Sequence, residues 1–193
     1  MDPFLVSTAV VALAEIGDRT QLLALVLAAR YRRPVPIILG ILVATLANHA
    51  LAAALGAAVA DGLGRDWLRW ILGASFLAMA LWCLVPDAPG DAPQAGGRAG
   101  AFVATAVAFF LVEIGDKTQI ATVALAARFH ALIAVTAGTT MGMMLANVPV
   151  VLFGDALAGR LPLGAIRAVA AGLFGLLGLA ALFDVGLGLL GAR

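Results

Sequence analysis

The sequence predicts an all-α integral membrane protein whose six transmembrane helices form two inverted three-helix repeats. Three observations lead there. The composition is 63% hydrophobic and 12% charged, with a mean hydropathy of +1.07, far from the makeup of a soluble domain. Apolar runs of about 20 residues, the length that spans a hydrocarbon core of about 30 Å, recur along the chain. Finally, the charged heptapeptide Glu15-Ile16-Gly17-Asp18-Arg19-Thr20-Gln21 returns as Glu113-Ile114-Gly115-Asp116-Lys117-Thr118-Gln119.

Taken in order, the first span is Phe4–Ala29, stopped by Arg30-Tyr31-Arg32-Arg33-Pro34. The second, Val35–Ala60, ends at the polar stretch from Asp61 to Asp66. The third, Trp67–Val85, opens with Trp67 and Trp70, aromatic residues suited to a membrane interface. Residues 86–98, rich in proline, glycine and polar side chains, cannot form a helix core and read as a central linker. Beyond it, Ala99–Ala127 stops at Arg128-Phe129-His130, Ala131–Gly154 precedes Arg160-Leu161-Pro162, and Leu163–Leu190 closes the set. The expected organisation is a first repeat over 1–85, the linker over 86–98 and a second repeat over 99–193 within one membrane domain. Met1-Asp2-Pro3-Phe4 carries no basic leader, so the first apolar segment is expected to be kept.

The duplication extends past the heptapeptide. Glu15 to Tyr31 aligns with Glu113 to Phe129 at a constant offset of 98, with 10 of 17 positions identical. Gly40 then pairs with Gly138, Gly56 with Gly154, and Leu46-Ala47-Asn48 with Leu145-Ala146-Asn147 after a one-residue slip. A unit of three spans is odd in number, so the second copy enters the bilayer from the opposite side. Secondary transporters use such inverted repeats, with the site near the midplane between them. Glu15 and Glu113 lie roughly 11 and 14 residues into their spans, which places both near mid-depth at about 1.5 Å per residue. Arg30, Arg32, Arg33, Arg98, Arg160 and Arg167 fall on one side, against Arg65, Arg69, Arg128 and Arg193 on the other. The positive-inside rule then places the linker in the cytoplasm and both termini outside.

A net charge of +1 and the absence of a basic run exclude a nucleic-acid partner. Cys83 is the only cysteine, which excludes an internal disulfide, a CxxC centre and a thiolate metal cage. It reads as a packing residue.

Charge inside a transmembrane helix costs roughly 2.5–3.5 kcal/mol per residue even on lenient insertion scales, so a duplicated cluster of three points to a site. On a continuous helix, Glu15 with Asp18, and Glu113 with Asp116, project from one face. Gln21 and Gln119 extend that stripe with neutral oxygens, while Thr20 and Thr118 lie beside it and could bind substrate or backbone. Gly17 and Gly115 permit either close helix approach or a break in the helix. Four carboxylates less Arg19 and Lys117 leave a charge of −2, which suits a divalent cation. Oxygen ligands without cysteine, and without histidine in either motif, favour Ca²⁺, Mg²⁺ or Mn²⁺ over Zn²⁺ or Cu⁺. Protons compete for the same oxygens, and that competition with alternating access gives cation/H⁺ exchange. The bland alternative is a pair of i,i+4 salt bridges, Glu15 with Arg19 and Glu113 with Lys117, which would leave Asp18 and Asp116 unexplained.

Asn48 and Asn147 occupy matching places in the second helix of each half, where an amide could complete a metal shell or bridge two helices. His49 has no counterpart and reads as structural, and His130 as interfacial. Asp184 reads as interfacial at the end of the last span.

The duplicated Glu-x-Gly-Asp-(Lys/Arg)-(Thr/Ser) signature resembles that of the GDT1-like family, within the lysine-exporter-like superfamily. The Ala-Ala-Arg-Tyr end of the first motif helix and the Gly142 to Pro149 run also look like family features, so the resemblance covers nearly the whole chain. It implies a cation exchanger for Mn²⁺ and Ca²⁺ coupled to protons, without a resident cofactor, linked in bacteria to Mn²⁺ export across the inner membrane. It also places the family's acidic residues on Glu15, Asp18, Glu113 and Asp116. The competing readings are an exporter of another small solute in the same superfamily, a passive cation channel and an intramembrane enzyme. Excess carboxylate argues against anionic solutes, and near-equivalent half-sites argue against catalysis, which assigns unlike roles to its groups.

Overall fold

Proline and polar residues punctuate the chain into helices. The computed structural model describes residues 2–63, 65–85, 100–157 and 162–183, and every regular element among them is a helix. Helix α1 (Pro3–Glu15) opens with proline in its first turn, where no intrahelical donor is lost, and the Asp2 carboxylate accepts the Leu5 N–H at 3.0 Å. Helix α2 (Arg19–Tyr31) follows, then α3 (Pro34–Gly62), which also opens on proline, and α4 (Arg65–Leu84). The second half repeats the order with α5 (Ala101–Glu113), α6 (Lys117–Phe129), α7 (Leu132–Leu157) and α8 (Leu163–Leu182). The central linker and Asp184 lie outside the described residues.

Among the described residues, four helical stretches are long and apolar enough to cross a membrane: Pro34–Gly62, Trp67–Leu84, Leu132–Gly154 and Leu163–Leu182. The other two expected spans differ from the sequence reading. Phe4–Ala29 and Ala99–Ala127 are not continuous helices; each is divided at its motif into two helices of 13 residues. The two second pieces end alike. Arg32 (φ 49°) and His130 (φ 50°) are left-handed caps whose N–H groups reach Ala28 O at 2.9 Å and Ala126 O at 3.0 Å.

The two halves interlock. Helix α1 lies along α7 and α5 along α3, α2 packs on α7 and α6 on α3, and α4 packs against α8. Small residues permit the close approaches. Gly138 sits against Phe4 and Ser7, Gly142 against Thr8 and Val11, and Gly40 against Phe102 and Thr105. These contacts also fix direction within each pair, because α1 and α7 begin at the same end and α3 and α5 begin together. Toward the end of α3, Gly56 meets Val123 and Ala126 of α6.

The halves are not identical. Pro149 interrupts α7, which has a non-helical residue at Phe153 (φ −134°, ψ 22°), whereas α3 has no proline beyond its first turn. Beside this kink, a cavity of about 440 Å³ is lined by Leu25, Ala29, Arg32, Val150 and Gly154. Arg128, read from sequence as a helix-ending surface charge, is instead buried. Its guanidinium lies 5.7 Å from the Phe76 ring and 5.6 Å from the Phe129 ring, with Nη1 donating to Leu177 O at 3.4 Å. Its counterpart Arg30 is exposed.

A leucine at position 56 would drive α3 away from α6. Gly56→Leu is expected to destabilise the protein by about 1–3 kcal/mol, the usual cost of overpacking. Gly62→Ala, which meets no neighbouring atom, should leave the melting temperature in detergent unchanged.

Candidate metal centre

The break in each motif follows from its glycine. Gly17 (φ +83°) and Gly115 (φ +77°) adopt the left-handed conformation that ends one helix and redirects the chain into the next. Asp18 and Asp116 are then extended N-caps, and their own N–H groups bond back to Glu15 O at 3.0 Å and Glu113 O at 3.1 Å. The glycine N–H groups left over are taken by the glutamines. Gln21 Oε1 accepts from Gly17 N at 2.8 Å and Gln119 Oε1 accepts from Gly115 N at 2.7 Å. This resembles a capping box displaced by one residue.

Neither cap aspartate bonds the first turn of its own helix. Such a cap is ordinarily worth about 1 kcal/mol. Both carboxylates reach across to the opposite repeat instead. Arg19 Nη2 lies 2.7 Å from Asp116 Oδ1, and Lys117 Nζ lies 2.9 Å from Asp18 Oδ1. The i,i+4 pairing of Glu15 with Arg19 and Glu113 with Lys117 is therefore not what forms. A broken helix alters the geometry on which that pairing, and the shared helix face of Glu15 with Asp18, depended.

With the bases committed to the aspartates, the two glutamates are left to the threonines. Thr20 Oγ1 donates to Glu15 Oε1, and Thr118 Oγ1 donates to Glu113 Oε2 at 3.0 Å. Each is a five-residue reach across the break. The opposite oxygens, Glu15 Oε2 and Glu113 Oε1, and also Asp116 Oδ2, are buried without a hydrogen-bond partner among the described residues.

Glu15, Glu113 and Asp116 each bring one carboxylate oxygen within 4.8 Å of the other two. Two oxygens on opposite sides of a calcium-sized ion, at about 2.3–2.6 Å from it, stand roughly 5 Å apart. The spacing fits one hard cation. The site also collects the C-terminal ends of α1 and α5, whose carbonyls carry partial negative charge and favour a cation. All three residues are buried.

The remaining candidates are placed around this cluster. The Gln21 and Gln119 oxygens face the glycine N–H groups, and Gln21 Nε2 also donates to Ala146 O at 3.1 Å, tying α2 to α7. Asn48 bridges helices, donating to Phe110 O of α5 at 3.0 Å. Asn147 turns to its own helix, with Nδ2 3.1 Å from Met143 O and 3.0 Å from Met143 Sδ, and its Oδ1 is buried without a partner among the described residues. Sequence reasoning could not foresee the crossed pairing, because residue spacing is silent on contacts between repeats. The equal spacing of the two motifs was the available signal.

A family model describing the divalent cation/proton antiporter GDT1 matches residues 3–91 and again 101–187. The chain belongs to this family. The two GDT1 matches fall on the two halves that carry the motifs. The chain is also 58% identical over 184 residues to a protein of Vibrio cholerae serotype O1 whose name is "Putative manganese exporter", covering 95% of this chain and 92% of that protein. No solved structure matches.

Gly115→Ala tests the backbone requirement, since open space surrounds that position and only the positive φ opposes a side chain. It should cost about 1–2 kcal/mol in thermal unfolding. Gly164→Ala, which also meets no neighbour but has no positive φ, should cost nothing.

Proposed function

We propose that this protein exports Mn²⁺ across a prokaryotic inner membrane in exchange for protons. One ion is held jointly by Glu15 and Glu113, with Asp116 as third carboxylate. The observation that carries this reading is the convergence of three buried carboxylate oxygens from both repeats within 4.8 Å. Membership of an antiporter family and similarity to a protein named as a manganese exporter support it. Oxygen-only ligands accept Ca²⁺ as well, so calcium is a second cargo for the same site.

In this reading each broken pair, α1 with α2 and α5 with α6, makes one crossing, and the protein spans the bilayer six times as two inverted repeats. A single 13-residue piece reaches only about 20 Å, too short to cross alone. The parallel run of α1 with α7, and of α5 with α3, supports the inversion. The repeats then cover 1–85 and 99–193, with the 86–98 linker in the cytoplasm and both termini outside, as the arginine distribution indicates.

Asp18 and Lys117 keep the rest of the centre neutral, and Thr20 and Thr118 hold the glutamates in orientation. Gln21 and Gln119 maintain the break, with a second lone pair on each oxygen to lend to the ion. Asn48 ties α3 to α5, whereas Asn147 stays on its own helix. Protons exchange for metal because both occupy the same carboxylate oxygens, so loading one releases the other. Alternation of access around a midplane site completes the cycle.

In proteoliposomes, a pH gradient should drive Mn²⁺ against its own gradient, and Glu15→Gln or Glu113→Gln should reduce that flux by more than the roughly 10–100-fold that losing a partner behind a ligand costs. Unchanged flux in either variant would remove that glutamate from the site. Flux that only ever runs down the metal gradient would make the protein a channel.

A further inference from the structure

The two crossed ion pairs have the same chemistry but different surroundings. Lys117 and Asp18 side chains are 4% and 0% exposed, enclosed within the bundle. Arg19, by contrast, is 37% exposed, and its partner Asp116 is 3% exposed. The same Nη2 that binds Asp116 also donates to Val112 O at 3.1 Å, so Arg19 rests across the end of α5. Asp116, unlike Asp18, is one of the three carboxylates that converge.

A metal ion held by this cluster would therefore share Asp116 with Arg19. A guanidinium 2.7 Å from one of its oxygens and a divalent ion on the other would share a single carboxylate and repel each other. One has to yield. Only the arginine has an open side, and its long side chain can leave without moving the backbone.

We propose that Arg19 is a displaceable internal counter-ion. It neutralises Asp116 before metal binds and swings out of the centre when the ion arrives, whereas Lys117 stays with Asp18 throughout. The tethered guanidinium competes with metal for Asp116 and so lowers affinity, which lets an exporter release its cargo. This rests on the reading of Glu15, Glu113 and Asp116 as the metal-holding groups.

Mn²⁺ titration calorimetry on the purified full chain provides the test. Arg19→Gln removes the competitor and should tighten Mn²⁺ binding by up to about fivefold, the scale of a partly exposed ion pair. Glu113→Gln should lose binding. Affinity unchanged or weakened in Arg19→Gln, with binding lost in Glu113→Gln, overturns the counter-ion role alone. Wild-type affinity in Glu113→Gln overturns the carboxylate centre and the proposal with it.

A second measurement needs no variant. Phenylglyoxal modification of Arg19 in the wild-type protein, followed by peptide mass spectrometry against Arg32 as reference, should increase when Mn²⁺ is added. Modification that stays constant or falls with Mn²⁺ overturns the proposal.

Discussion

The structure depends on the need to settle four carboxylates and two bases inside apolar helices. Removing a partner from a buried ion pair costs several kcal/mol, because it leaves an uncompensated charge in a poor solvent. Each motif carries two acids and one base, and the bases serve the opposite repeat. Arg19 crosses to Asp116 and Lys117 to Asp18. Neither half can neutralise its aspartate alone in this arrangement. The two glutamates remain, oriented by their threonines, with oxygens unpaired.

The break in each helix serves this arrangement. A continuous helix would place Glu15 and Arg19 one turn apart and invite a local pair. The left-handed glycine turns the chain, puts the aspartate at the start of a new helix and leaves the glutamate at the end of the old one. Positive helix ends then lie beside the aspartates and negative ends beside the glutamates. A site with carbonyl ends and unpaired carboxylates attracts a cation more strongly than either feature alone. Departures from symmetry include Pro149, the burial of Arg128 and the exposure of Arg19, while the backbone of the two motifs is nearly the same.

Much of this was legible in the sequence, for definite reasons. The motif repeat at constant offset pointed to two related halves, which the family matches follow, and the residue types pointed to a divalent cation. Glycine in both motifs left a break open as one of two outcomes. What the sequence did not reveal was which base meets which acid, since an i,i+4 spacing looks like a local pair until the helix is known to stop. The glutamine role was hidden likewise: spacing suggested a ligand stripe, while the oxygens of Gln21 and Gln119 face glycine N–H groups. The burial of Arg128 was hidden because its aromatic partners, Phe76 on α4 and Phe129 beside it, converge only through tertiary packing.

The central claim is that the two repeats build one shared ion site and not two separate ones. Mn²⁺ binding stoichiometry tests it most directly, compared between the wild type and variants altered in one repeat at a time. A shared site predicts one tightly bound Mn²⁺ per chain, lost whether the substitution is Glu15→Gln in the first repeat or Glu113→Gln in the second. Two Mn²⁺ per chain, falling to one with either substitution, would contradict it.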